Sequence, residues 1–562
     1  MTYPILEFKE EIKQEISRII EISEDKIDIE RPPKEKGDFA FPCYPLSPIL
    51  QDDPENIADE LSSEIELERG EVRRSGPYLN FSIDEEYIAK ETIKACIEKE
   101  DDYGALPRKE EKMIVEHTSA NPNGPLHVGR ARNPIIGDTL ARIYDKVGYD
   151  VEREYYVNDI GRQMAILSWG LKNLEEDQLS LPQRDKVDHK MVRYYQQASR
   201  LLEKDEELEE EIRNIIRDME KGDEEVFSSL KENAEEVLSG ITTSLKRLNI
   251  HFDNFRNEST LIEDGSVKKA IERISKLEET GDEDGALYFE SDDDKIFITR
   301  EDGTNLYPAR DVAYHLSKAE RAERLIDILG EDHKAHGEFI RAVLSSLGID
   351  PPEIVFYSFV TFEGGEMSTR KGSYVTLDEF MDTAEEKADK EILKRRDDLS
   401  EETVREISKK VGLSAVRYNI IRVQPKKPID FRWEEALNFQ GDSAPFIQYS
   451  YTRARSILEK ADSRIETDDL KIKRQDLEDG ELRLLKKIAE LPLSFHEASG
   501  NNAPHRIAEY AHELAAEFNQ FYRDYPVLDS DKKELRLSMV KSFSCAMSSV
   551  LDSLGMEKPK KM

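Results

Sequence analysis

Met113-Ile114-Val115-Glu116, followed by Asn121-Pro122-Asn123-Gly124-Pro125-Leu126-His127-Val128-Gly129-Arg130, reads as a short buried strand, a proline- and glycine-rich loop and the entry to a helix. Ile135, Ile136, Leu140, Ile143, Tyr144 and Val147 then recur at helical spacing, and Val151 to Val157 returns to strand character. This is a βαβ unit, and the loop after its first strand lies where open α/β sheets bind nucleotides. At a helix start the free backbone N–H groups and the dipole favour a phosphate. An imidazole there can donate to a phosphate oxygen, and a glycine lets an adenine ring approach the backbone. Taken alone, His127-x-Gly129 reads first as a capping histidine beside a packing glycine.

A second segment shifts that balance. Gly364-Gly365-Glu366-Met367-Ser368-Thr369-Arg370-Lys371-Gly372 is a glycine-flanked loop with a hydroxyl pair followed by two cations. Such a loop can cover a triphosphate and stabilise charge as pyrophosphate leaves, although a polar surface turn has the same composition. The two segments stand about 240 residues apart, near the start and the end of one α/β region.

Working outward, 562 residues suggest roughly three or four domains. A proline-rich opening (Pro32, Pro33, Pro42, Pro45, Pro48), a strand at Tyr78 to Ile83 and a linker at Arg108 to Lys112 set off residues 1–108. Residues 109–397 form the α/β unit, with a charged helical insertion at about 172–250. There Leu208, Ile212, Ile215, Ile216 and Met219 make one apolar stripe, and the acidic remainder reads as a solvated face. Ile296 to Thr299 alternates, and Ile326 to Leu329 and Ile354 to Phe359 read as further buried strands. Residues 398–562 are helical to the end, with Ile507, Tyr510, Leu514, Phe518 and Phe521 marking a bundle.

Acidic residues outnumber basic ones, 120 to 82, for a net charge of −38, which by itself argues against a nucleic-acid ligand. A salt-rich cytoplasm reconciles the two: the acid excess keeps the surface hydrated, and salt screens its repulsion of a polyanion. Cys43, Cys96 and Cys545 form no Cys-x-x-Cys pair, so neither a disulfide framework nor a thiolate zinc site is expected. With no signal peptide and no apolar run of membrane-spanning length, the expectation is a cytoplasmic protein without a membrane partner.

The paired segments resemble the ATP signatures of class I aminoacyl-tRNA synthetases, His-Ile-Gly-His and Lys-Met-Ser-Lys-Ser. The arginyl family is the nearest resemblance, and it covers nearly the whole chain. Its blocks are similar to Glu116-His117-Thr118-Ser119-Ala120-Asn121-Pro122, Ile136-Gly137-Asp138, Tyr156-Val157-Asn158-Asp159-Ile160-Gly161 and Tyr307-Pro308-Ala309-Arg310-Asp311. Gln440-Gly441-Asp442, Gln448-Tyr449, the N-terminal Gly37-Asp38-Phe39-Ala40 and the closing Leu554 to Met562 continue it.

The resemblance implies a Rossmann-like catalytic domain with a helical insertion, an α+β N-terminal domain contacting tRNA, and an all-α anticodon-binding bundle. It implies ligation of L-arginine to tRNA(Arg) through an arginyl-adenylate, with tRNA bound before the adenylate forms. ATP is then a substrate accompanied by Mg2+, no protein metal is held tightly, and the default is a monomer. Pro125, Leu126, His127, Val128, Gly129, Asp332, His333, Met367, Ser368 and Thr369 match ATP-binding positions, and His127, Arg130, Arg370 and Lys371 carry the catalytic charge. Glu116, Asn121, Tyr307 and Asp311 match arginine-binding positions, with Asp311 assigned to the guanidinium, a planar cation that favours fixed carboxylates. Tyr449, Tyr451, Arg453 and Arg455 place aromatics and cations together for anticodon bases.

Two departures from the family pattern stand out. Arg130 replaces a histidine, and Glu366 and Thr369 replace lysines, so the cation at the α-phosphate is assigned to Lys371. The rivals are a synthetase for another amino acid and a non-catalytic tRNA-binding relative; the cysteinyl case usually needs zinc thiolates that are missing here.

Overall fold

In the computed structural model, residues 3–291, 294–362, 375–461 and 472–562 are described. The N-terminal unit packs α1 (Pro4–Ile20), the short α2 (Ser47–Leu50) and α3 (Pro54–Glu64) with β1 (Phe39–Pro42), β2 (Gly70–Ser75) and β3 (Tyr78–Ile83) in an antiparallel sheet of order β1-β3-β2. The helix α4 (Glu85–Lys99) then leads by an irregular stretch to the catalytic sheet. Phe8, Ile12 and Ile16, at helical spacing on α1, bury one face of that helix.

The catalytic sheet begins with β4 (Lys112–Glu116), α5 (Arg132–Lys146) and β5 (Asp150–Val157), the expected βαβ unit. Four helices follow, α6 (Arg162–Asn173), α7 (Val187–Leu202), α8 (Glu206–Glu220) and α9 (Glu224–Arg247), before β6 (Asn254–Asn257) closes one edge. The charged insertion is therefore the crossover between two parallel strands. On α8, Leu208, Ile212 and Met219 are buried and Ile215 and Ile216 partly so, as the stripe requires. After α10 (Glu258–Glu263) and α11 (Ser266–Ile274), β7 (Thr280–Glu283), β8 (Ala286–Ser291) and β9 (Asp294–Phe297) form a separate antiparallel sheet. The chain then returns through α12 (Tyr307–Ala319), β10 (Arg324–Gly330), α13 (Lys334–Ser346) and β11 (Glu353–Tyr357).

All pairings in the five-stranded sheet β11-β10-β4-β5-β6 are parallel. The chain runs outward from β4 to β5 and β6, then comes back to β10 on the opposite side. The switch point therefore lies between β4 and β10, and a crevice opens at their carboxyl ends.

A short ladder pairs β12 (Val360–Phe362) with β13 (Ile429–Phe431), so the part after residue 398 is not helical throughout. Around it lie α14 (Leu377–Leu393), α15 (Glu401–Ile421) and the short α16 (Trp433–Ala436). The bundle follows: α17 (Ala444–Ala461), α18 (Asp479–Ala489), α19 (Leu491–Gly500), α20 (His505–Asp524) and α21 (Lys533–Ser553). Ile507, Tyr510, Leu514, Phe518 and Phe521 are all buried on α20. One apolar core runs continuously from the N-terminal unit through the sheet into the bundle. Among the described residues no helix is long and apolar enough to cross a membrane.

Candidate active site

The crevice at the switch point is a small pocket of about 120 Å³, partly open to solvent. Glu116 ends β4, and its Cα partner across the ladder is Asp327 of β10; on its other side it faces Glu154 of β5. Three strands thus present a row of acids, and the helix α12 answers it with a polar stripe. Lys318 Nζ lies 2.8 Å from Glu116 Oε2 and 2.6 Å from Asp327 Oδ1. His315 Nε2 lies 2.8 Å from Asp327 Oδ2, and Tyr314 donates its hydroxyl to Glu154 Oε1 at 2.8 Å. Asp311, Tyr314, His315 and Lys318 sit three, four and seven positions apart, so one helical face carries them. Ala309, Val312, Ala313 and Leu316 point instead into an apolar cluster.

Asp311 lines the pocket and is 6% exposed. His336 Nε2, from α13, bonds its Oδ2, and His315 Nδ1 stands 3.3 Å from its Oδ1. Burial alone would raise the Asp311 carboxyl, but His315 and His336 outweigh it and hold it well below the usual carboxylate range. Arg310, its neighbour, turns away to Glu258 at 2.9 Å. Glu116 accepts from Ser119 Oγ at 2.9 Å as well as from Lys318, so both its oxygens are engaged as acceptors. Tyr156 stacks on Tyr314 at 4.1 Å, and its buried hydroxyl, on the pocket wall, has no hydrogen-bond partner among the described residues. That leaves one donor for a ligand.

The loop after β4 is held in an uncommon conformation. Thr118 and Ser119 have φ of 73° and 38°, a left-handed backbone that non-glycine residues rarely adopt. Asn133, on the first turn of α5, over-determines it: its Oδ1 accepts the Thr118 N–H, and its Nδ2 donates to the Ile328 carbonyl at 2.8 Å. Arg132 beside it is fully buried and, among the described residues, bonds carbonyls alone, those of Ser358, Lys427 and Gln424 at 2.7–2.9 Å. Burial pulls its pKa down to about 10, which leaves it charged at neutral pH.

At the first signature, Gly129 N–H donates to His127 Nδ1 at 3.0 Å, so the ring proton of neutral His127 sits on Nε2. Burial and the charge of Arg130 lower its pKa. Leu126 and Val128 are buried, Pro125 and Gly129 half-buried, and the exposed Arg130 lines the pocket while His127 does not. A Cβ on Gly129 would meet His127 Nδ1 at 2.9 Å, which explains the glycine. Val128 N–H donates to the Val375 carbonyl at 3.0 Å, and Leu377 N–H to the Leu126 carbonyl at 2.7 Å. Met367, Ser368, Thr369, Arg370 and Lys371 lie outside the described residues. The chain that follows them, at Val375 and Thr376, is ladder-paired with the first signature.

Behind that pairing, Asp378 on the first turn of α14 accepts from Lys186 Nζ at 2.7 Å and Ser244 Oγ at 2.9 Å, with Arg247 at 3.3 Å and His189 at 3.2 Å. The insertion helices α7 and α9 thus grip the segment that meets the first signature. Asp378→Ala would remove an acceptor shared by Lys186, His189, Ser244 and Arg247, while Asp188 still answers Lys186 and Asp382 and Glu385 still answer Arg247. An unfolding-stability loss of about 1–3 kcal/mol is expected in urea titration.

The remaining expected site residues are placed as follows. Tyr307 and His333 are at the pocket rim, whereas Asp332 is not on its lining. Asn121 bonds Gln163 at 2.9 Å and is also off the lining. On α17, Tyr451 is a core residue at 8% exposure, so its ring is not offered to a base. Arg453 lies over the rings of Tyr449 and of Tyr522 from α20, at 4.7 and 4.9 Å, and both tyrosines are exposed. Arg455 is exposed. His315, Lys318, Asp327, His336 and Tyr522 were not singled out from sequence. The signal for the first two was available in the polar stripe of α12.

A parallel sheet with its pocket at the switch point, a glycine-containing signature opening a helix and a helical C-terminal domain define a class I aminoacyl-tRNA synthetase. Residues 92–433 match the family described as tRNA synthetases class I (R), catalytic domain. Residues 447–562 match the DALR anticodon binding domain, and residues 6–83 the arginyl tRNA synthetase N terminal domain. The arginine--tRNA ligase of Methanothrix thermoacetophila is 40% identical over 92% of each chain, and that of Halorubrum lacusprofundi is 37% identical over 97% of each. The solved Thermus thermophilus arginyl-tRNA synthetase superposes with a TM-score of 0.85 at 27% identity, over 98% of this chain and 99% of that one. The chain belongs to the arginyl-tRNA synthetase family and charges tRNA(Arg) with arginine.

Proposed function

We propose that the switch-point pocket takes the arginine, with Asp311 facing the guanidinium and Glu116 and the Tyr156 hydroxyl near the polar remainder. The observation that carries this reading is Asp311 itself, a buried carboxylate kept ionised by two histidines and directed into the cavity. Tyr307 flanks the side chain at the rim. Asn121 is retained as an arginine contact that would have to leave Gln163.

ATP lies against Pro125 to Gly129 and the helix start at Arg132, with His333 and Asp332 beyond; Met367, Ser368 and Thr369 are its further contacts in this reading. His127, donating through Nε2, and Arg130, Arg370 and Lys371 stabilise charge while the arginine carboxylate attacks the α-phosphorus and pyrophosphate departs. The terminal ribose of the tRNA then attacks the activated carbonyl and AMP leaves. Positioning and electrostatics do the catalysis, with no covalent enzyme intermediate. Mg2+ accompanies ATP as a counter-ion to its phosphates. The Glu116–His315–Asp327 group, whose spacing would suit a metal, already encloses the Lys318 ammonium, which fits the reading that no metal is tightly held there.

The tRNA meets Tyr449, Arg453, Tyr522 and Arg455 on the bundle, where exposed rings can stack bases. Working domain limits are 1–108, 109–397 and 398–562, with β13 on the seam because it completes a ladder with β12. The protein acts as a cytoplasmic monomer.

ATP–pyrophosphate exchange with each amino acid, with and without tRNA, tests the reading. Exchange with arginine alone, and only with tRNA present, supports it; exchange with another amino acid, or none at all, defeats it. In the same assay Lys371→Ala is expected to lower the rate at least about tenfold with arginine affinity unchanged, because lost transition-state contacts appear in the rate. Normal turnover would remove Lys371 from the mechanism.

A further inference from the structure

Glu116, Asp311 and Asp327 are 8%, 6% and 2% exposed, so three acids are buried around one small pocket. Lys318 lies between two of them, and His315 lies between Asp311 and Asp327. His315 Nε2 is 2.8 Å from Asp327 Oδ2; its Nδ1 is 2.8 Å from the Asp311 carbonyl and 3.3 Å from Asp311 Oδ1. These oxygens can only accept, so both ring nitrogens must donate and the ring is an imidazolium. Within this buried cluster, three carboxylates against Lys318 and His315 leave one negative charge; His336, a fifth exposed, and Arg130, exposed at the rim, face solvent and are left out of that count.

We propose that His315 is a positioning and specificity-determining residue for the amino-acid side chain. Clamped between Asp311 and Asp327, it keeps Asp311 ionised and directed into the pocket. With Lys318 it limits the site to a single uncompensated negative charge, which one monocationic side chain neutralises. The inference rests on the assignment of Asp311 to the guanidinium.

The surroundings give His315 this role rather than a neighbour. From β4 and β5, Glu116 and Tyr156 face the pocket, and from α10 Glu258 is answered by Arg310. On α12 itself, Tyr307 lies at the rim and Lys318 reaches Glu116 and Asp327; Asp327 comes from β10. Of the two aspartates, His336 of α13 touches Asp311 and not Asp327, so among the described residues His315 alone contacts both. Without its charge the two acids repel, and one of them takes up a proton nearer neutrality. Burial and Lys318 push the His315 pKa down, yet Asp311 and Asp327 carry it up to about 10, in keeping with the geometry.

The test is arginine-dependent pyrophosphate exchange by the full chain with tRNA, for wild type, His315→Gln, Asp327→Asn and the double variant. Each single change moves the count away from one negative charge, and the double change restores it. Each single variant is expected to raise KM for arginine at least about tenfold with kcat and KM for ATP within about threefold. The double variant should recover most of that loss, a coupling that independent structural damage would not produce. His315→Gln should also gain an acid limb in kcat/KM, which falls as pH is lowered and Asp311 protonates, over a range where wild type is flat.

A wild-type KM and a flat profile in His315→Gln, or a double variant no better than the worse single one, would overturn the inference. If His315→Gln does not fold, an unchanged arginine KM in Asp327→Asn overturns it instead. Failure of the underlying site assignment looks different: Asp311→Asn would then leave the arginine KM unchanged.

Discussion

Asp311→Asn is expected to lower kcat/KM for arginine by at least about 100-fold, almost wholly through KM, while KM for ATP stays within about threefold. The side chain keeps its shape and loses only its charge. In wild type that charge is buried, answered by His315 and His336, and open to the pocket on the side where a ligand cation would lie. A guanidinium brought there against a neutral amide is desolvated without a counter-charge and meets the two histidines instead. Removing one partner from a buried pair costs about 3–5 kcal/mol, the origin of the expected magnitude. Steady-state exchange kinetics at varied arginine and fixed saturating ATP read the two Michaelis constants separately.

The second large effect lies off the pocket lining, at Arg417 of α15, which is 1% exposed. Its Nε donates to the Leu554 carbonyl at 2.8 Å, Nη1 to the Leu248 carbonyl at 2.7 Å and Nη2 to Asp138 Oδ2 at 2.6 Å. One guanidinium thus joins α5, the end of the insertion and the closing turn of the chain. Gly555 belongs to the same joint: its φ is +64°, and any Cβ would run into the Arg417 guanidinium. Arg417→Leu would fill much of the volume and leave Asp138 and two carbonyls buried without this partner. A loss of about 3–5 kcal/mol in urea unfolding is expected.

A pH signature accompanies it. Burial would raise the Asp138 carboxyl, but Arg417 and Arg142 bring it down to about 2. Because the folded value is below the unfolded one, near 3.9, the associated stability is full above that value and disappears as pH falls through about 2. In Arg417→Leu this acid limb should shrink toward what Arg142 alone sustains. An unchanged limb would place the charge coupling elsewhere.

The parts of the fold legible in the sequence were those written in apolar periodicity. β4 follows from Met113-Ile114-Val115, a continuous apolar run of the kind a buried parallel strand shows, and α5 from Ile135, Ile136, Leu140, Ile143, Tyr144 and Val147 at helical spacing; in β5 only Tyr155-Tyr156-Val157 makes such a run. The stripe on α8 and the face of α20 follow from 3.6-residue spacing. β6, Asn254-Phe255-Arg256-Asn257, was hidden because an edge strand whose side chains are only half-buried has no apolar run to show. β13 was hidden by its length of three residues inside a helical context. The run from Ile354 ends as a strand at Tyr357, and Phe359 is 58% exposed, so it belongs to the turn toward β12.

The site was legible through its ligand-facing residues and not through what holds them. Glu116 and Asp311 stand in recognisable blocks. Asp327 and Asn133 act through contacts 12 and 195 residues away in the chain, to His315 and Ile328, which no local pattern encodes; Lys318 shows locally only as part of the polar stripe of α12, and its partner Glu116 lies 202 residues away. Tyr451 shows the opposite error: its composition suits a stacking platform, but its register on α17 turns it into the core. Tyr522, four-tenths exposed on α20, takes the place beside Arg453 that sequence proximity had suggested for it.

The most direct test of the central claim, that the crevice between β4 and β10 is an arginine site built around Asp311, is an experimental structure with a non-hydrolysable arginyl-adenylate analogue. The guanidinium is expected within hydrogen-bond distance of the Asp311 carboxylate, and the phosphate beside the helix start at His127 to Arg130. A guanidinium bound outside this crevice, or bound in it with Asp311 still directed only at His315 and His336, would contradict the account.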